Sequence, residues 1–266
     1  MSTLIVVTGA SRGIGLSICT SFAAKLSSSP LHFLLLARSE PNLAAAASSI
    51  ASSYTGSSSE LTIESHSVNF SDPVSTSKCE SILKAIPWSS TASTILVNNA
   101  GSLGDLTVQS IAPNLADLTT TINLNVTSPI YLTSLFLSQL PPTLVPQTQI
   151  INIFSLAAVQ PFPTWSVYCA GKAARDMYFK TVAAEVHHGA SLQGVLNYAP
   201  GPVDTDMQRE IRGAEGCDEG TRKYFVEAKE KETLVKPDDT ARKLVEIVCG
   251  GKYESGAHVD YFDEVK

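Results

Sequence analysis

The sequence predicts an α/β fold: one domain, of Rossmann type, in which a doubly wound parallel sheet is flanked by helices on both faces. Two observations carry this. Short runs that are almost wholly apolar, such as Leu4–Val7 and Leu31–Ala37, alternate with longer stretches of helical periodicity. Strands apolar at every position are covered on both faces, as parallel strands between helical layers are. No break in composition divides residues 1–266, so a second domain is not expected.

Taken in order, Leu4–Val7 reads as a strand, followed by a Gly-rich turn and a helix through Lys25. Leu31–Ala37 is a second buried strand and Leu43–Ser53 a helix. Leu61–Val68 alternates and reads as a third strand, with a helix over Ser75–Ile86. Thr94–Val97 is the fourth strand. One long helix is expected over Leu115–Leu137, then a strand over Gln149–Phe154 and a helix over Ser166–Val186. Gly194–Asn197 opens a sixth strand, Asp238–Cys249 is helical, and Ala257–Val259 closes the chain as a short strand. Residues 206–236 interrupt this rhythm with charge and Gly. They read either as a mobile substrate lid or as an ordinary helical insertion.

Composition narrows the function. The chain is 44% hydrophobic and 17% charged, so it can bury a large core. Its net charge of −6 argues against nucleic acid or an anionic membrane as main partner. No apolar run approaches the roughly 18 residues of a membrane span, and no basic leader precedes Leu4. Five cysteines, odd in number, widely spaced and without C-x-x-C, read as reduced thiols of a cytoplasmic protein rather than a disulfide framework or a metal site.

The chemistry lies in a few motifs. Gly9-Ala10-Ser11-Arg12-Gly13-Ile14-Gly15 follows the first strand and opens a helix, where close backbone approach and a helix N-terminus suit a pyrophosphate. Arg38-Ser39 ends the second strand, where an acid would bind the ribose hydroxyls of NAD. A guanidinium there, with a second at Arg12, suits the 2′-phosphate of NADP instead. The alternative is a solvated strand end. Asn98-Asn99-Ala100-Gly101 closes the fourth strand, and Pro200-Gly201-Pro202-Val203-Asp204-Thr205 follows the sixth, placing backbone and the Thr205 hydroxyl where a carboxamide can bind. Tyr168 and Lys172 are four residues apart, hence on one helix face. An ammonium there favours the phenolate and lowers the phenol pKa, so that the tyrosine exchanges a proton with a substrate oxygen near neutrality. Ser155, thirteen residues earlier, would hold that oxygen.

With these motifs in this order, the chain resembles the short-chain dehydrogenase/reductase family over essentially its full length. The resemblance implies a nicotinamide-dependent carbonyl reductase with Asn125 as a fourth catalytic residue beside Ser155, Tyr168 and Lys172. It implies cofactor contacts from the Gly turn, Arg38, Ser39, Asn69, Phe70, Asn98, Ala100, Gly101, Tyr168, Lys172, Pro200, Val203, Thr205 and Met207. Asn69 stands where family members commonly have Asp.

Longer blocks, Asn98–Asp105, Tyr168–Met177, Leu196–Gln208 and Ser255–Asp260, look like the sepiapterin reductase branch of that family. This implies NADPH as cofactor, tetrahydrobiopterin synthesis as the setting, and a ketone substrate, a pterin or failing that a vicinal diketone. Asp260 would anchor the pterin, with Ser155, Leu156, Tyr168 and Gly201 around the reacting carbonyl. Leu103, Phe162, Trp165 and Met207 are candidates for the apolar wall. The family also implies pairing into a homodimer or homotetramer through the helices near 115–137 and 166–186.

Overall fold

The computed structural model describes residues 1–106, 114–251 and 253–264. Seven strands form one parallel sheet in the order β3-β2-β1-β4-β5-β6-β7: β1 (Ser2–Thr8), β2 (Leu31–Ala37), β3 (Leu61–Ser67), β4 (Thr91–Asn98), β5 (Thr148–Ile153), β6 (Gly194–Ala199) and β7 (His258–Asp260). The order reverses between β1 and β4. In open parallel sheets the crevice beyond the strand ends at such a reversal is where ligands bind.

The apolar runs become strands that feed two cores by alternation. Ile5 and Val7 of β1 point into one core with Phe33 and Leu35 of β2. Leu4 and Val6 point into the other with Leu34 and Leu36. The first face is covered by α1 (Gly13–Lys25), α2 (Glu40–Ser53) and α10 (Pro237–Gly250). The second is covered by α4 (Cys79–Lys84), α6 (Ser128–Gln139) and α7 (Ser166–Ala184), with the short α3 (Pro73–Ser77) ahead of α4. β3 is an edge strand whose residues are half-buried or exposed, in keeping with its alternating sequence.

Two expectations change. The helix over 75–86 is two helices meeting at Lys78. The long helix over 115–137 is not continuous. α5 (Leu115–Ile122) passes into a π-helical turn, Asn123–Thr127, before α6 begins. Such single-turn bulges cluster at functional sites, and this one contains the buried Asn125. Residues 206–236 fold as α8 (Asp206–Gly213), capped by Thr205, and α9 (Glu219–Glu230), capped by Asp218. No helix among the described residues is long and apolar enough to cross a membrane.

Candidate active site

A cavity of about 2060 Å³ runs along the strand ends from the Gly turn to α9. At one end it is lined by Gly9, Ser11, Arg12, Gly13, Ile14 and Gly15. The turn is held closed by Asn99, whose Nδ2 donates to the carbonyls of Thr8 (2.9 Å) and Gly9 (3.2 Å). A Cβ on Gly15 would lie 2.2 Å from the Gly9 carbonyl oxygen, and Gly9 itself has φ +66°. Only glycine fits this close approach. α1 then starts with no side-chain cap and no acid in its first turn, leaving its N–H groups for an anion.

Arg38 and Ser39 line the cavity at the end of β2, and the Ser39 hydroxyl caps α2 by accepting from Asn42 N–H at 3.4 Å. Arg12 also lines the cavity, and its Nη1 donates to Asp206 Oδ2 at 2.6 Å, tying the Gly turn to the start of α8. Phe70, Ala100 and Gly101 form the wall beyond β3 and β4.

Two predicted cofactor contacts lie off this cavity. Asn69 is folded into its own turn, accepting from Ser71 N–H at 3.2 Å. Asn98 is buried and donates to Thr133 Oγ1 at 3.0 Å. Strand alternation turns Asn98 inward and leaves the next residue, Asn99, to serve the glycine turn. Asn125 is not on the cavity wall either. Its Oδ1 accepts from Ser102 N–H (3.1 Å) and its Nδ2 donates to Ser102 C=O (2.7 Å). A Cβ on Gly171 would sit 3.2 Å from Asn125 Cβ, so this glycine lets α7 close on the π turn.

At the centre of the cavity stand Ser155, Tyr168 and Lys172. Ser155, straight after β5, opens a 3-10 turn by accepting from Ala157 N–H at 3.2 Å. Tyr168 and Lys172 share the buried face of α7, with the ammonium 5.6 Å from the phenol ring centroid. Lys172 Nζ donates to the Ile153 carbonyl at 2.8 Å.

The electrostatics differ from the simple tyrosine–ammonium picture. Burial pushes the Tyr168 phenol above its ordinary value of 10, opposed by the Ser155 hydrogen bond and by the charge on Arg175. Burial, and then Arg175, pushes Lys172 well below its ordinary range. Desolvation outweighs the nearby cation here. Arg175 itself, 0% exposed, is lowered to about 10 and so remains charged at neutral pH. It was not singled out in the sequence, although it follows Lys172 by three residues on the same helix face.

Beyond Tyr168 the cavity turns apolar. Trp165 lies between Phe162 (5.0 Å) and Phe225 of α9 (6.1 Å), nearly parallel to both, with its edge against Tyr168. Leu103, Leu156 and Met207 complete this wall. Gly201 and Asp260 line it from the β6 and β7 ends, with Pro200, Val203 and Thr205 between them and the Gly turn. Asp260 Oδ1 accepts from Phe262 N–H at 2.9 Å. The strand carrying Asp260 is tied to α7 by a hydrogen bond between His258 and Asp176.

A glycine cradle at a topological switch, leading to a tyrosine and lysine on one helix face, defines a class, and sequence comparison agrees. Residues 3–216 match the short chain dehydrogenase model, and the chain belongs to that family. It is similar to the sepiapterin reductases of Xenopus tropicalis (33% identical, covering 98% of this chain and 97% of the relative) and Bos taurus (36%, 98% and 95%). A benzil reductase ((S)-benzoin forming) of Bacillus cereus is 26% identical over 95% of this chain and 96% of its own. Among solved structures, the KRED1-Pglu enzyme superposes with a TM-score of 0.78 at 22% identity, covering 97% of this chain and all of that one (100%). The protein is therefore an oxidoreductase acting on a CH–OH/C=O pair of a small molecule, with a nicotinamide cofactor.

Proposed function

We propose that the protein is an NADPH-dependent carbonyl reductase whose substrate is the side-chain ketone of a pterin. The observation that carries this is the placement of Tyr168, Lys172 and Ser155 midway along a cavity that starts at the Gly turn and ends at Asp260. The cradle of Gly9, Gly13 and Gly15 suits a dinucleotide pyrophosphate, and Arg38 at the cavity mouth suits a 2′-phosphate. When bound there, a reduced nicotinamide supplies hydride to a carbonyl carbon.

The chain's own residues do the rest. Ser155 orients the carbonyl oxygen. Tyr168 Oη gives its proton to that oxygen as negative charge develops, so one hydride and one proton convert C=O to CH–OH. A phenol raised by burial holds its proton until that charge appears. Lys172, anchored on Ile153, faces the ribose side and the tyrosine together. Asn125 fixes the backbone of Ser102 and supports the path by which the proton on Tyr168 is replaced. Asp260 accepts from the amino-pyrimidinone edge of the pterin, while Trp165, Phe162 and Leu156 cover its flat faces. α8 and α9 act as a lid, since Met207, Ile211 and Phe225 reach over this wall. Pairing of two copies through α5–α6 and α7 is part of the same reading, supported by the exposed Leu115 and Met177.

A second substrate class, vicinal diketones, is favoured by the stacked aromatic wall and by the benzil reductase relative. The test of the main reading is Tyr168→Phe with NADPH and a panel of sepiapterin and diketones. Expected is a fall in kcat of about 100-fold or more, with NADPH binding within about threefold of the parent. Substantial residual turnover would refute it.

A further inference from the structure

The far end of the cavity is built on an element with little of its own to hold it. β7 is three residues long and lies at the sheet edge, with Tyr198 of β6 opposite Val259 and Ala199 opposite Asp260. An edge strand this short has few ladder bonds and opens readily. Asp260, its last residue, nevertheless stands on the cavity wall, half-buried.

Two sets of bonds shape the segment that follows. The first is local. Asp263 N–H donates to the Asp260 carbonyl (3.0 Å) and closes a four-residue turn. The acids at its two ends accept from the turn itself: Asp260 Oδ1 from Phe262 N–H (2.9 Å), and Asp263 Oδ2 from Asp260 N–H (2.7 Å). Beyond one bond from Tyr261 N–H to the Ala199 carbonyl (2.8 Å), these contacts give the turn its shape and not its place. The second set comes from α10. Lys243 Nζ donates to the Tyr261 carbonyl at 2.6 Å and to the Asp263 carbonyl, and it lies 5.7 Å from the centre of the Tyr261 ring.

The helix that supplies this lysine is itself fixed. Ala241, Leu244 and Val245, around Lys243 on α10, are buried in the first core, and Tyr261 packs against the same core. Tyr198 Oη of β6 donates to the Thr240 carbonyl at 3.0 Å, which ties α10 to the strand that β7 pairs with. The turn therefore has an outer side, held by Lys243 off the cavity wall, and an inner side that carries Asp260 on it. A cation bonded to the turn also offsets the repulsion between two carboxylates only three positions apart.

We infer that Lys243 is a positioning residue for the substrate: from outside the cavity it clamps the turn Asp260–Asp263, so that the Asp260 carboxylate meets the substrate already in place. This rests on the reading of Asp260 as the pterin anchor. Without the clamp the carboxylate is still there but has to be ordered as the ligand binds, and that loss falls on affinity. Its removal therefore raises KM more than it lowers kcat, and by no more than removal of the carboxylate itself.

The experiment sets Lys243→Gln and Lys243→Arg in the parent chain and in Asp260→Ala, with NADPH and sepiapterin. Hydrogen exchange of peptides spanning residues 253–264 is measured on the same proteins without ligand. In the parent, Lys243→Gln is expected to raise the KM for sepiapterin about five- to tenfold, the loss of a charge-assisted contact that is partly exposed. Lys243→Arg, which keeps the cation, should bring KM back towards the parent. In Asp260→Ala the Gln substitution should add less than about twofold, because both changes act through one carboxylate. Exchange over 260–263 should quicken about threefold or more in Lys243→Gln and slow again in Lys243→Arg. Should Lys243→Gln fail to fold, Lys243→Met takes its place with the same expectations. An unchanged KM, an equal rise in both backgrounds, or unchanged exchange would each overturn the inference. Asp260→Ala that leaves sepiapterin unaffected would instead break the pterin reading, and the exchange measurement, which needs no substrate, would still decide whether Lys243 holds the turn.

Discussion

Asn125 holds both backbone groups of Ser102 with one side chain, accepting from the N–H and donating to the carbonyl. A side-chain amide carries an acceptor and a donor on separate atoms, so it can meet both at once. The π turn is what brings it there, since a regular helix would carry the side chain out of line with the loop after β4. Asn125→Leu should therefore cost about 1–3 kcal/mol in unfolding free energy, because two half-buried backbone groups lose their partner. It should also lower kcat more than it raises KM. Denaturant unfolding and steady-state kinetics on the same preparation check both.

On the proposed reading, cofactor choice rests on Arg38, which has no ion-pair partner among the described residues, whereas Arg12 is paired with Asp206. Arg38→Asp should weaken NADPH by about 10- to 100-fold, the loss of one charge-assisted contact with a repulsion added. NADH should change little or improve. The ratio of kcat/KM for the two cofactors measures it. An unchanged ratio would move the 2′-phosphate site elsewhere.

Asp260 separates the two substrate classes. Asp260→Ala should raise KM for a pterin by about tenfold or more, through loss of a charge-assisted contact. A vicinal diketone, which has no donor edge, should be nearly unaffected. Equal effects on both would remove the pterin anchor.

The pH dependence follows from the direction of the Tyr168 shift. The donor must be protonated, and burial has raised its pKa above 10. Ketone reduction should thus hold level through neutral pH and decline only as pH climbs past the phenol's ordinary range. A profile of kcat/KM against pH tests this, and a limb near neutrality would contradict it.

The fold was legible because β2 is apolar at all but His32 and β1 carries the unbroken run Leu4–Val7, as a sheet covered on both sides requires. The tyrosine, lysine and glycines were legible because each is tied to fixed local spacing. What escaped depends on neighbours distant in the chain. Whether Asn98 or Asn99 meets the Gly turn is decided by the register of β4 against β1. The break at Asn123–Thr127 carries Asn125, whose partner Ser102 lies more than twenty positions earlier in the chain. Arg175 sat in plain view in a helical run, where nothing local distinguishes a buried guanidinium from a solvated one. Its partners come from the ends of two other strands.

The stack of Phe162, Trp165 and Phe225 has a practical consequence. The chain has two tryptophans, and Trp88 lies at the start of β4, packed on Phe136, at the far end of that strand from the cavity. Trp165 stands against Tyr168, with a buried indole N–H that has no hydrogen-bond partner among the described residues. Its emission is set by the contents of the cavity and by the position of α9. A Trp88→Phe chain would fluoresce from this spot alone, reporting dihydronicotinamide occupancy by energy transfer and closure of α9 by spectral shift, without any label.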